Sequence, residues 1–268
     1  MTYEDRDLTT VEAEGGSRSS ASAHPAGGHR SSLPVWQETV LLLAGALVLA
    51  VVIKALFVQA FYIPSESMEP GLVKNDRILV EKPSYWFGGE PQRGDVVVFK
   101  DPGGWLGPED VSEGSNTVTR VLTKVGLYPS GGHLVKRVVG VPGDVVECCD
   151  KQGRLMINGK PIDESAYARP SGSGCEPGTT GVCYGPMPGV RHWETQTVPK
   201  GMLFVMGDNR AHSADSSYHL CTPAETDCSD SPWVPADLVV GKVMAVVWPA
   251  SKLRLEHRPD SFAGVPSP

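Results

Sequence analysis

Residues 133–148 read HLVKRVVGVPGDVVEC, two short runs of mostly β-branched residues parted by Pro142-Gly143-Asp144. Valine suits a pleated, half-buried surface and Pro-Gly-Asp is turn chemistry, so the stretch reads strand, turn, strand. The same pattern recurs on both sides, in RILVEK (77–82), DVVVFK (95–100), RLMING (154–159), MLFVMG (202–207) and LVVGKVMAVVW (238–248). Turn signals bound these runs at Arg93-Gly94-Asp95, Asn158-Gly159 and Gly207-Asp208-Asn209. The 30 glycines and 23 prolines among 268 residues exceed the roughly 12% of average usage, which favours many turns over a helical bundle. The expected fold class is mainly β, an all-β domain over about 62–255. Two stretches interrupt it as insertions or long loops, 101–132 and 165–195, and residues 256–268 read as a loose C-terminal tail.

One transmembrane helix is expected ahead of that domain. Thr39 to Phe61 reads TVLLLAGALVLAVVIKALFVQAF, 23 residues with Lys54 the only charge. As a helix this is roughly 34 Å long, enough to cross a hydrocarbon core of about 30 Å. With Trp36 at one end and Phe61-Tyr62 at the other, in the places of interfacial aromatics, the span is 36–61. Val58-Gln59-Ala60 loosely resembles a cleavage site, but the apolar run exceeds that of a signal peptide and a long tail precedes it, so the helix reads as a retained anchor. Residues 1–34 are rich in Ser, Gly, Ala and His and too polar to bury a core, hence a disordered tail.

The net charge of −7 leaves no basic surplus to neutralise phosphates and argues against a nucleic-acid partner. Six cysteines, Cys148, Cys149, Cys175, Cys183, Cys221 and Cys228, share one region, form no CxxC and fit no zinc spacing. An even count confined to one stretch favours disulfides and an oxidising compartment, although the vicinal pair reads equally well as two half-buried thiols. Basic residues on the two sides of the helix are balanced, so the cysteines carry the topology: N-terminus cytoplasmic, C-terminal domain outside, in a single-pass cell-membrane protein. No metal or cofactor is called for.

Candidate chemistry begins just past the helix. In Ile63-Pro64-Ser65-Glu66-Ser67-Met68-Glu69-Pro70 the two prolines favour extended backbone, which would put Ser65 and Ser67 on one face, as nucleophile and hydrogen-bond donor. Such a stretch is also an ordinary linker. The candidate base is Lys136, which on a strand shares a face with Leu134 and Val138 while Arg137 looks the other way. Apolar neighbours would desolvate its amine and lower its pKa, and only the neutral amine can take a serine proton. An edge-strand lysine that guards against sheet pairing has the same appearance. The polar stretch Gly207-Asp208-Asn209-Arg210-Ala211-His212-Ser213-Ala214-Asp215-Ser216 is longer than a hairpin turn needs.

Four strings in order, IPSESMEP, RGDVVVF, KRVVGVPGD and GDNRAHSAD, resemble the conserved boxes of bacterial type I signal peptidases, and the preceding helix matches too. The resemblance covers about residues 36–250. It implies a membrane-anchored, β-rich serine endopeptidase that removes signal peptides from secreted precursors, cutting after small residues of the Ala-x-Ala type. It makes Ser67 the nucleophile, Lys136 the general base, and Ser65 an oxyanion donor beside the Ser67 N–H. Ser213 would hold the Lys136 amine, with Asp215 structural and Arg137 its possible ion-pair partner. Ile63, Pro64, Met68, Leu72 and Val135 match the family's substrate pocket. The implied partners are signal-peptide-bearing precursors, the lipid bilayer and a nearby secretion translocon. The chain departs from the family pattern at Gly71, at Ala211 and His212, and at Ser217, where a threonine, Asp-Asn and a basic residue are usual.

Ser67 lies six residues past Phe61, at most about 20 Å of extended chain, which keeps it near the membrane. Tyr85-Trp86-Phe87 either dips into the outer leaflet or packs in the core. Two other enzymes fit less well: a Ser-His-Asp hydrolase using His212, and a self-cleaving repressor, which would need a DNA-binding domain that this tail lacks. The alternative outside enzymology is a catalytically silent, membrane-anchored surface domain that binds partners.

Overall fold

The computed structural model describes residues 34–107, 132–169, 193–221 and 231–268. The tail before residue 34, most of both expected insertions, and Cys175, Cys183 and Cys228 lie outside the described residues. The chain divides into two units, Met1–Gly45 and Ala46–Pro268. The described part of the first is the opening half of helix α1 (Val35–Phe57). By length and composition α1 is able to cross a membrane, and its valines and leucines are exposed.

The helix ends four residues earlier than the apolar run suggests. Val58–Tyr62 leaves it as strand β1, where every second residue is buried: Gln59 and Phe61 point inward. Phe61 is therefore a core residue and not an interfacial aromatic, whereas Tyr62 is exposed. Hydropathy alone does not separate these cases, because a half-buried strand directly after a membrane helix extends the same apolar run.

The remaining strands are β2 (Arg77–Glu81), β3 (Val96–Lys100), β4 (His133–Gly140), β5 (Val146–Cys148), β6 (Met156–Ile157), β7 (Lys160–Pro161), β8 (Trp193–Glu194), β9 (Met202–Met206), β10 (Val234–Pro235), β11 (Val239–Trp248) and β12 (Arg254–Leu255). The larger sheet runs β1-β2-β11-β3-β4-β9-β10, with β12 added to β11, and the smaller runs β7-β6-β5-β8. Among the described residues these strands all pair antiparallel, and an isolated bridge between Arg169 and Asn209 is parallel. The Asn158-Gly159 signal is a two-residue hairpin with both residues at positive φ, 52° and 74°, pairing Ile157 with Lys160.

The larger sheet is buried on both faces at its centre. In β3, Val96 and Val98 join Phe61, Ile63, Met68, Leu72, Ile78 and Val80 on one side. Val97 and Phe99 join Leu134, Val138, Leu203 and Val205 on the other. This double burial is why β3 reads as an unbroken Val-Val-Val-Phe run rather than an alternation.

The C-terminal residues are not a loose tail. Phe262 is 5% exposed in the cluster that joins the smaller sheet to β9, beside Tyr167 and Phe204. Arg93 donates to the Pro266 carbonyl and Arg258 pairs with Asp95 at 2.9 Å. A polar segment with one phenylalanine carries too little periodicity to announce this docking. Phe262→Ala is expected to destabilise the domain by about 3–5 kcal/mol, read from denaturant unfolding in detergent; an unchanged midpoint would show that the docked segment contributes no stability.

Cys148 and Cys149 are bonded to each other, and Cys221 is disulfide-bonded as well, so among the described residues no cysteine is free. Tyr85 packs inward with its hydroxyl on Asp95 at 3.3 Å. Trp86 is half-exposed, with its ring 5.4 Å from Phe57. The triplet is thus divided between core and surface; the Phe87 side chain lies outside the described residues.

Candidate active site

After β1 the chain makes a closed loop instead of the extended run expected from its prolines. Ile63 N donates to Asp76 O and Asn75 N to Ile63 O, sealing the neck. Inside, Glu69 N bonds Glu66 O and Leu72 N bonds Met68 O. Met68 and Leu72, each 1% exposed, root the loop in the core and leave Ser67 on its turn. The two serines still meet, with Ser65 Oγ 3.2 Å from Ser67 Oγ, but a bend and not strand periodicity brings them together.

Lys136 comes to Ser67 from β4, opposite Val97 of β3. Its Nζ lies 2.7 Å from Ser67 Oγ, its only hydrogen-bond partner among the described residues. The lysine is 4% exposed and Ser67 6%. Burial pushes the amine down to about 8, against weaker upward pulls from Asp215 and Asp208.

The stretch after β9 packs against this pair. Asn209 grips the serine loop twice, its N–H on Ser67 O at 3.0 Å and its Nδ2 on Glu66 O at 3.1 Å. Asp215, 1% exposed, is held by four donors. Oδ2 accepts from Gly207 N and Ser213 Oγ, and Oδ1 from Ser217 N and Ser217 Oγ, at 2.6–3.0 Å.

Two expected contacts are therefore different. Ser213 donates to Asp215 and not to Lys136, because its hydroxyl lies beside the carboxylate two residues on. Arg137 does not pair with Asp215. It makes a bidentate bond to Asp208 at 2.7 and 2.8 Å, donates to Gly94 O and lies over the Tyr167 ring at 4.5 Å. Ser217 serves Asp215 by two hydrogen bonds, from its N–H and its hydroxyl.

A cleft of about 320 Å³ opens beside Ser67 and Lys136. Ile63, Pro64, Met68 and Val135 line it, together with Phe61, Tyr62, Leu106 and His133. Leu72 does not; it is sealed in the core beneath the loop. His133 to Lys136 pair with β3 on one side, while β9 pairs with β4 only from Arg137 onward. Among the described residues, that part of β4 has one edge open to an extended chain. The Ser67 N–H likewise donates to no acceptor among the described residues.

His212 is exposed and sits 3.3 Å from Glu66 Oε2, so it does not form a triad with Ser67. Among the described residues no group of three or more His, Cys, Asp or Glu side chains could hold a metal. The sequence reading missed Glu164 and Tyr167, which hold Arg210 of the 207–210 turn and Arg137 of β4 from outside the four strings. Asp163-Glu164 in a polar stretch carries no local sign of burial.

A family model for signal peptidase, peptidase S26, matches residues 36–248. The chain belongs to that family. A signal peptidase I of Mycobacterium tuberculosis (strain CDC 1551 / Oshkosh) is 37% identical over 90% of this chain and 81% of that protein. A probable signal peptidase I of Mycobacterium leprae (strain TN) is 39% identical over 83% and 78%. A signal peptidase I of Leptolyngbya laminosa is 30% identical over 90% and 93%. The mainly β fold class and the type I signal peptidase resemblance read from the sequence therefore hold, and α1 is consistent with a membrane anchor.

Proposed function

We propose that the chain removes N-terminal signal peptides from secreted precursors by Ser67–Lys136 chemistry, cutting after small residues. The observation that carries this is the 2.7 Å contact between a buried lysine amine and the Ser67 hydroxyl. A precursor lies along the open edge of β4, with its side chains near the scissile bond in the cleft lined by Ile63, Pro64, Met68 and Val135. Neutral Lys136 takes the proton as Ser67 Oγ adds to the carbonyl carbon. The oxyanion is met by the Ser67 N–H and the Ser65 hydroxyl. Collapse breaks the peptide bond, and the Lys136 ammonium returns the proton to the leaving amine. Lys136 then takes a proton from water, which attacks the acyl-enzyme, and returns it to Ser67 Oγ as the signal peptide leaves. Asn209 fixes the serine loop and Asp215 closes the turn that carries Ser213.

The helix anchors the chain in the cell membrane, its N-terminus cytoplasmic and the β domain outside. The bonded Cys148, Cys149 and Cys221 support that orientation, since disulfides persist in oxidising compartments. The bilayer and the secretion translocon are the expected neighbours, because the substrate's apolar segment remains in lipid when its cleavage site is presented. The test is incubation of the detergent-solubilised protein with several precursors whose apolar segments end in Ala-x-Ala, followed by sequencing of the products. Cleavage after the second alanine is the expected result. A folded protein that cuts none of them would leave the silent surface domain as the better account.

A further inference from the structure

We propose that Glu164, acting through its buried pair with Arg210, is a positioning residue for the reaction at Ser67. The proposal rests on the peptidase reading above. Glu164 stands outside the four recognised strings, in the segment after β7. Its carboxylate and the Arg210 guanidinium are each 1% exposed and make a bidentate bond at 2.7 and 3.0 Å. Tyr167 OH adds a third bond to Glu164 Oε1 at 2.8 Å. A group that buried is held at one geometry, because every alternative leaves a charge unpaired in a dry interior.

What the pair holds is the turn that holds Ser67. Arg210 Nε donates to Gly207 O at 2.9 Å, and Arg210 N bonds Arg169 O, whose own N–H bonds Asp208 O. Between those anchored residues lies Asn209, with its two bonds to the carbonyls of Ser67 and Glu66. Tyr167 also lies under Arg137 of β4, the partner of Asp208, so one short segment supports Arg210 of the turn and the arginine that holds Asp208. The chain of contacts Glu164–Arg210–Gly207–Asn209–Ser67 sets where the nucleophile stands relative to Lys136. None of these hydrogen bonds involves Ile63, Pro64, Met68 or Val135, so the effect falls on the reaction step rather than on substrate binding.

The experiment compares Glu164→Gln, Tyr167→Phe and the double variant Glu164→Met/Arg210→Met in the full-length protein in detergent. For each, kcat and KM are measured on one precursor, and unfolding is followed in parallel. Glu164→Gln strands a buried guanidinium, so loss of both stability and activity is expected. The double variant removes both charges and with them the stranding, which restores the unfolding midpoint. Its kcat is still expected to be about 100-fold low, the cost of a nucleophile misplaced by remote change, with KM unchanged. Recovery of kcat along with stability would overturn the proposal, since the pair would then be structural only. Tyr167→Phe keeps the ring over Arg137 and deletes one bond to Glu164; a several-fold fall in kcat at constant KM is expected. Should the double variant fail to fold, wild-type kcat in Tyr167→Phe overturns the proposal by itself. Wild-type cleavage of the precursor, lost in Ser67→Ala, tests the peptidase reading separately from either result.

Discussion

Lys136→Met is expected to lower kcat by about 10,000-fold, the upper range for loss of a positioned base, and Ser67→Ala to leave only background hydrolysis. Methionine keeps the length and apolar contacts of the lysine stem, so the 4%-exposed site stays filled and the fold is retained. The loss then reports chemistry and not unfolding. The pH profile gives an independent check on the same group. Lys136 acts only when neutral, and burial sets its pKa at about 8 against the opposing pulls of Asp215 and Asp208. Below that value kcat/KM should rise about tenfold per pH unit, as one proton leaves, and level above it. Cleavage of a precursor by the two variants and the wild type, followed from pH 6 to 10, checks both. A profile flat through pH 8, or appreciable activity in Lys136→Met, would remove Lys136 from the role of base.

Gly207→Ala is the second substitution with a large expected effect. A Cβ at this position would fall 2.5 Å from Ser67 O and 2.6 Å from Ser213 Cβ, and would crowd Ser213 Oγ. The first of these is backbone, so relief requires the nucleophile's own loop to move. A fall in kcat of about 100-fold is expected, measured against Gly71→Ala. At Gly71 a Cβ meets only Asp208 Oδ2 and Met68 O, both at 3.6 Å, an ordinary contact. The change there should stay within about 0.5 kcal/mol of stability and leave kcat alone. The same space explains why a glycine at 71 and a larger residue are both compatible with the loop. Equal activity in the two variants would mean that the close approach at Gly207 yields without moving Ser67.

Much of the site was legible because its signals are local. The strand pattern places Lys136 on one face with Leu134 and Val138, and the lysine is buried with its amine pushed down by that burial. The prolines around Ser65 and Ser67 misled, since an X-Pro preference for extended backbone does not foresee Met68 and Leu72 drawing the chain into a closed loop. Leu72 was assigned to the pocket by the resemblance and is core instead. Arg137 was matched with the wrong aspartate for a related reason. Asp208 and Asp215 are seven residues apart in one turn-rich stretch, and only the fold decides which of them comes under β4.

The apolar helix, the run of short strands, the Asn158-Gly159 hairpin and the choice of Ser65 and Lys136 as partners for Ser67 are legible in the chain before it folds; Asn209 at Ser67 is not. Each of the legible features is written in spacing, turn chemistry or a motif of a few neighbouring residues. The tertiary structure alone decided where the helix gives way to β1, that the C-terminal residues dock through Phe262, and that Glu164 lies buried beneath the 207–210 turn. Those outcomes depend on contacts between segments far apart in the chain, such as Glu164 with Arg210 across 46 residues and Arg137 with Asp208 across 71. Hydrophobic period and turn propensity act within a few residues, so they specify elements. The partner of a buried charge is chosen by which elements the sheet register brings together.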